Sequence, residues 1–187
     1  MINEPRFIRP EQCCLYIVDP QERLMSHIHG AETVVKNITL MIHLARTLDI
    51  PIMANTQYKK GIGPIVPELA TLLEDVPCPD KTEFNGFANP AVRQEFASLS
   101  SLIDTVLLCG VESHICIYQT AVGGLQAGYN IRVVADGISA RTPENDGCGK
   151  RRLREVGAVL APAEMIIYEL LQRAGTDEFK SMLPYLK

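Results

Sequence analysis

The chain of 187 residues is long enough for one domain and for burial of about 70% of the surface its unfolded form exposes. Its 47% hydrophobic and 21% charged residues are those of an ordinary globule, and a net charge of −4 leaves no basic footprint for nucleic acid. No apolar run approaches the roughly 20 residues of a membrane span, and the opening MINEPRFIRP lacks the apolar core of a signal peptide.

In chain order, residues 14–18 (CLYIV) are a continuous apolar run ending at Asp19-Pro20, the pattern of a buried strand and a stop. Between 31 and 48, apolar residues from Val34 to Leu48 recur with the 3.6-residue period and predict a helix. A second strand follows at 51–54, a loop at 57–64 (QYKKGIGP), and a short helix at 67–73 with proline at its first position. A brief third strand is expected at 80–84, a helix from Asn89-Pro90 through Leu99, a fourth strand at 105–109 and a helix at 115–127. Strand 131–135, helix 145–156, strand 158–160, helix 163–173 and a last helix near 176–183 complete the pattern. With no linker, repeat or low-complexity stretch, residues 1–187 read as a single domain. Strands separated by helical crossovers predict an α/β, three-layer doubly wound fold: a central, mostly parallel six-stranded sheet with helices on both faces.

In such sheets ligands bind beyond the carboxyl ends of the strands. Asp19 falls there after the first strand, Asn55, Thr56 and Gln57 after the second, Lys81 in the third, Glu112 to Cys116 after the fourth and Asp136 after the fifth. Cys116, at the start of a helix, gains from the positive end of the dipole and from free backbone N–H groups, which favour a lowered pKa. A cysteine in that place also fits a small buried hydrophobe, so its partners decide. Asp19 is the candidate base, because a carboxylate at the end of an apolar strand is costly unless partnered; a turn or an N-cap is its plainer use. Lys81, otherwise a loop cation, would stabilise a thiolate, which free cysteine holds to only about 3% at pH 7. His27, His29 and His43 lie in loop or helix-surface positions and His114 only two residues before the thiol, which disfavours a papain-like dyad.

Other motifs fail. Six cysteines with no CxxC pair and no export signal read as reduced thiols in a cytoplasm, against a zinc or thioredoxin-like site. Gly61-Ile62-Gly63 lacks the third glycine of a dinucleotide loop. Gly149-Lys150 has Glu144 where a P-loop needs glycine, and a phosphatase loop would need an arginine soon after Cys116.

The spaced set VDPQ (18–21), NTQY (55–58), DKTEFNGF (80–87) and GVESHICIYQTA (110–121) resembles the isochorismatase-like cysteine hydrolase superfamily. VVADGISARTPEND and LREVGAVLAPAEMIIYELL, between 133 and 171, continue the likeness over nearly the whole chain. The loop QYKKGIGPIVPEL (57–69) points to the isochorismatase domain-containing hydrolases, many without a known substrate. The resemblance implies a catalytic triad of Asp19, Lys81 and Cys116. It also implies a cis Val111–Glu112 peptide and an oxyanion hole formed by the N–H groups of Glu112 and Cys116. Gln21, Asn55, Gln57, Phe84, Asn85 and Phe87 are the candidate substrate-binding residues, the two phenylalanines as walls of an apolar slot. Nicotinamidases of this superfamily carry a metal-binding Asp and His after the second strand, where Tyr58, Lys59 and Lys60 stand here. No catalytic metal and no cofactor are therefore expected.

The implied activity is hydrolysis of a small amide or related carbonyl compound through a thioester, in a homo-oligomer that takes a small-molecule substrate and binds neither nucleic acid nor membrane. The helix 163–171 is apolar enough to offer an interface or to pack in the core. Two other classes share the scaffold: a non-catalytic interaction protein, and a thiol redox sensor with Cys109 as the nearest resolving cysteine.

Overall fold

A computed structural model describes residues 7–186. The first apolar run forms β1 (Cys13–Val18), followed by the short α1 (Glu22–Met25) and the long α2 (Ala31–Thr47). Next come β2 (Ile52–Gln57), α3 (Lys59–Ile62), α4 (Pro67–Ala70), β3 (Asp80–Lys81) and α5 (Pro90–Ser98). The second half runs β4 (Thr105–Val111), α6 (Cys116–Gln126), β5 (Asn130–Ser139), α7 (Pro143–Glu155), β6 (Val159–Ala161), α8 (Ala163–Leu171) and α9 (Asp177–Met182).

The six strands pair in the order β3-β2-β1-β4-β5-β6, every pair parallel. The chain builds outward from β1 to β3, then returns to the other side of β1 and builds outward again to β6. The reversal lies between β1 and β4, where the crossovers part to opposite sides and open a crevice at the carboxyl ends.

Strand periodicity divides the core in two. Cys13, Leu15 and Ile17 point to one face of the sheet, where Ile38, Met41 and Ile42 of α2 and Ile166, Ile167 and Leu170 of α8 cover them. Cys14, Tyr16 and Val18 point to the other, against Val92 and Phe96 of α5 and Ile117 and Ala121 of α6. Both faces being buried, β1 has no polar alternation. Helix starts follow capping chemistry: the Asn89 side chain accepts from the N–H groups of Ala91 and Val92, and that of Thr142 from Asn145, each with proline at the first helical position.

Three expected elements come out differently. The third strand is only two residues long: Pro77 and Pro79 stand before it, and after Thr82 the chain turns into a 3-10 turn capped by Asn85. The fifth strand runs on to Ser139, past a register shift against β4, so Asp136 is inside it. There the Asp136 Oδ1 accepts from the Ala163 N–H at 2.7 Å and its carbonyl from Asn37 Nδ2 at 2.9 Å, a joint between layers and not part of a site. Asn55, Thr56 and Gln57 likewise belong to β2 instead of following it.

Candidate active site

Asp19 leaves the sheet where β1 ends, in a left-handed conformation (φ 54°) that few non-glycine residues adopt. Its N–H donates to the Asn55 carbonyl at 3.2 Å, and its own carbonyl accepts from the Gln21 N–H at 2.8 Å. The turn sends the carboxylate inward, fully buried. Lys81 Nζ donates to Asp19 Oδ2 at 2.9 Å, neither side chain having any exposure, and to Gln57 Oε1 at 2.6 Å. Asn55 Nδ2 donates to the other carboxylate oxygen.

A chain of amides holds this pair. Gln57 Nε2 donates to the Thr82 carbonyl at 2.8 Å, which braces the loop beyond Lys81. Gln21 Oε1 accepts from the Gln57 N–H at 2.7 Å, while Gln21 Nε2 donates to the carbonyls of Gln57 (3.2 Å) and Gly63 (2.7 Å). The polar atoms of Gln21 and Gln57 are thus committed to the protein, and both residues position the ion pair.

On the neighbouring strand, Gly110 has φ 120°, and a Cβ there would lie 2.0 Å from the Val18 carbonyl oxygen. Only glycine lets β4 run this close to the end of β1. The Val111–Glu112 peptide that follows is cis. The turn from Glu112 to Ile115 is tied to the end of β5: the Ser113 N–H donates to the Ser139 carbonyl at 2.8 Å. Arg141 donates to Glu112 Oε2 through its backbone N–H (3.0 Å) and its Nε (3.1 Å). Cys116 is the first residue of α6, so its N–H has no acceptor within the helix. The residue is 6% exposed, and its thiol lies near enough to the Asp19 carboxylate for each group to shift the other's pKa.

The thiol's pKa moves opposite to the sequence expectation. Burial pushes it well up and the Asp19 charge adds to this, while the Lys81 ammonium pulls it back only in part. Burial and the Asp19 charge thus favour the neutral thiol over the thiolate. Burial also raises Asp19 above the ordinary carboxylate range, against the pull of Lys81 and of its hydrogen bonds.

The remaining candidates separate. Phe84 is half exposed, and its carbonyl accepts from Thr120 Oγ1 at 3.4 Å, one helical turn beyond Cys116. Asn85 caps its own turn, accepting from the Phe87 N–H at 2.9 Å, and packs against α6 at Gly123. Phe87 is a core residue, its ring 4.6 Å from Phe96, and together with Asn85 and Tyr129 it lines a cavity between α5 and α6. Arg141 went unnoticed in the sequence. A charge just past a strand end was the signal that marked Asp19, but it marks Arg141 only when β5 is known to reach Ser139. Cys109 points to the opposite face of the sheet from Cys116, which puts a disulfide between them out of reach. Among the described residues, no three His, Cys, Asp or Glu side chains are grouped to hold a metal ion. No helix among them is long and apolar enough to cross a membrane.

Comparison with known proteins agrees with this architecture. The family model described as the isochorismatase domain matches residues 13–165. Mouse isochorismatase domain-containing protein 2A is 35% identical, the match covering 96% of this chain and 85% of that protein. A Phytophthora sojae protein described as a secreted isochorismatase effector is 33% identical over 95% of this chain and 86% of its own length. A Caenorhabditis elegans structure described as a MAR1 ribonuclease superposes with a TM-score of 0.89 at 30% identity, covering 97% of this chain and 92% of that one. With its all-parallel sheet and a family match across most of its length, the chain belongs to the isochorismatase family of hydrolases.

Proposed function

We propose that this protein is a cofactor-independent cysteine hydrolase that cleaves a small amide or related carbonyl compound through a thioester, using Asp19, Lys81 and Cys116. The observation that carries the reading is the fully buried Asp19–Lys81 pair beside the Cys116 thiol, at the reversal point of the sheet. Burying two charges costs several kcal/mol or more per ion before their attraction offsets it, and closure of the sheet needs neither.

The chemistry follows from the resting state. Because the thiol is neutral, its proton passes to Asp19 as the sulfur attacks the carbonyl carbon. The N–H groups of Glu112 and Cys116 hold the oxyanion, each worth about 3–4 kcal/mol in the transition state. The C–N bond breaks as Asp19 returns the proton to the leaving nitrogen, and water then hydrolyses the thioester. Lys81 keeps the carboxylate ionised and in place, and Asp19's burial keeps it basic enough to take the proton. A phosphodiester substrate fits less well, since the buried cation here is committed to Asp19 and Gln57. A neutral thiol with Cys109 out of reach also weakens the redox-sensor alternative. Six free cysteines suit a reducing compartment.

The test is ammonia release from a panel of small primary amides, wild type beside Cys116→Ala. Thiol-dependent release from any member supports the reading; identical rates in the two proteins would sink it.

A further inference from the structure

Among the buried polar atoms without a partner, two on the sheet face that carries Cys116 have no role in this scheme. The Tyr16 hydroxyl and Asn55 Oδ1 are buried and make no hydrogen bond within the protein. Such atoms are costly, and proteins commonly satisfy them with an ordered water where several polar groups converge. The assignment of Oδ1 is chemical: a carboxylate only accepts, so the amide group facing Asp19 is the NH2, and the oxygen is left over.

Both atoms lie on one side of the sheet. The β1–β2 register pairs Tyr16 with Met53 and Val18 with Asn55, so these four residues share a face, the one on which Cys116 packs. The Tyr16 ring sits edge-on to Phe87 (6.3 Å) and Phe96 (5.4 Å), with its hydroxyl against Gly86, where a Cβ would lie 2.3 Å from it. The Gly86 N–H in turn donates to Thr120 Oγ1 at 2.9 Å, one turn along α6 from Cys116. The phenol therefore reaches the layer beneath the thiol, where the charges of Asp19 and Cys116 add to burial in raising its pKa.

We propose that Tyr16 and Asn55 hold a buried water beside Asp19, and that this water is the nucleophile of the deacylating half-reaction. The proposal rests on the hydrolase reading above. The water donates one hydrogen to Asn55 Oδ1 and one to the Asp19 carboxylate, and accepts from the Tyr16 O–H. One lone pair remains for the thioester carbon. As the new C–O bond forms, the proton shared with Asp19 passes to it. The C–S bond then breaks, and the same proton goes on to the departing sulfur, which regenerates the thiol and frees a carboxylic acid. Tyr16 and Asn55 serve here as positioning residues, and Asp19 as the base.

Tyr16→Phe removes the donor and leaves the ring packing intact. With 4-nitrophenyl acetate as the probe, the nitrophenolate burst reads acylation and the steady rate reads deacylation. The expected result is an undiminished burst, a steady rate lower by about tenfold or more, and acyl-enzyme accumulating in the intact mass spectrum. A high-resolution crystal structure of the wild type should show one water bonded to both atoms. A steady rate within about twofold of wild type, or a crystal structure in which no water joins the two atoms, overturns the proposal. If the wild type turns the ester over no faster than Cys116→Ala, the hydrolase reading fails instead, and the crystal structure alone decides the water site.

Discussion

The Asp19–Lys81 pair at 2.9 Å has no solvent to share its charge, so the two groups stand or fall together. Lys81→Met leaves a buried carboxylate without its counter-charge, which costs about 3–5 kcal/mol. The penalty depends on pH. Burial raises the Asp19 pKa above its unfolded value even against the pull of Lys81; removing Lys81 raises it further, so the variant's added loss of stability grows as pH rises through the folded value. Lys81→Met should therefore be least destabilised near pH 5 and most at pH 8, read from urea midpoints. Adding Asp19→Asn should recover most of the loss. A single variant as stable as wild type at pH 8 would contradict this account. The positions of Asp19, Lys81 and Cys116 were legible in the sequence because each polar residue ends or borders an apolar run. The direction of the thiol's pKa was not, since it is set by desolvation from side chains far apart in the chain. For the same reason Asn55, Gln21 and Gln57 read as substrate contacts, when the fold turns their amides toward Asp19 and the loop that carries Lys81.

At the scale of elements, the β1–β4 junction depends on Gly110. A methyl group there would meet the Val18 carbonyl at 2.0 Å, backbone against backbone in the middle of the sheet, with φ at 120°. Gly110→Ala should cost about 3 kcal/mol or more and lower the urea midpoint sharply. Gly128→Ala, with φ 93° but nothing within 4 Å, separates the strain from the clash: it should cost the smaller share. An equal loss in both would mean the close approach is unimportant. Strands β1 and β4 and helices α2 and α6 could be read from apolar runs and 3.6-residue periods because burial is complete and their lengths are ample. Helices α1 and α3, four residues each, are too short to establish a period. The true end of β5 was hidden because Asp136-Gly137 looks like a turn, whereas it is a bulged stretch whose polar groups are satisfied by α2 and α8.

For the molecule as a whole, the cysteines set the alkaline limit. Burial pushes Cys13 and Cys14 from 9.0 up to about 12, and Cys109 and Cys116 also move upward. Above pH 9 the unfolded chain sheds thiol protons that the folded chain keeps, so stability falls as pH rises, by about 1.4 kcal/mol per unit for each thiol. The urea midpoint should decline steadily from pH 9 toward 12, and Cys14→Ala should flatten the decline at some cost in packing. A midpoint constant across that window would count against the buried thiols as its cause.

The reversal of the sheet has one more consequence. Asp19, Lys81, Asn55 and Cys116 stand at the carboxyl ends of the strands, while the returns at Asp49, Gly128 and Gly157 lie at the opposite ends and close helices onto strands. The two rims are therefore open to different kinds of alteration. One can be varied to change what is recognised, with the scaffold held constant. The other offers places to attach a label, a surface tether or new chain ends on the side of the sheet away from the thiol.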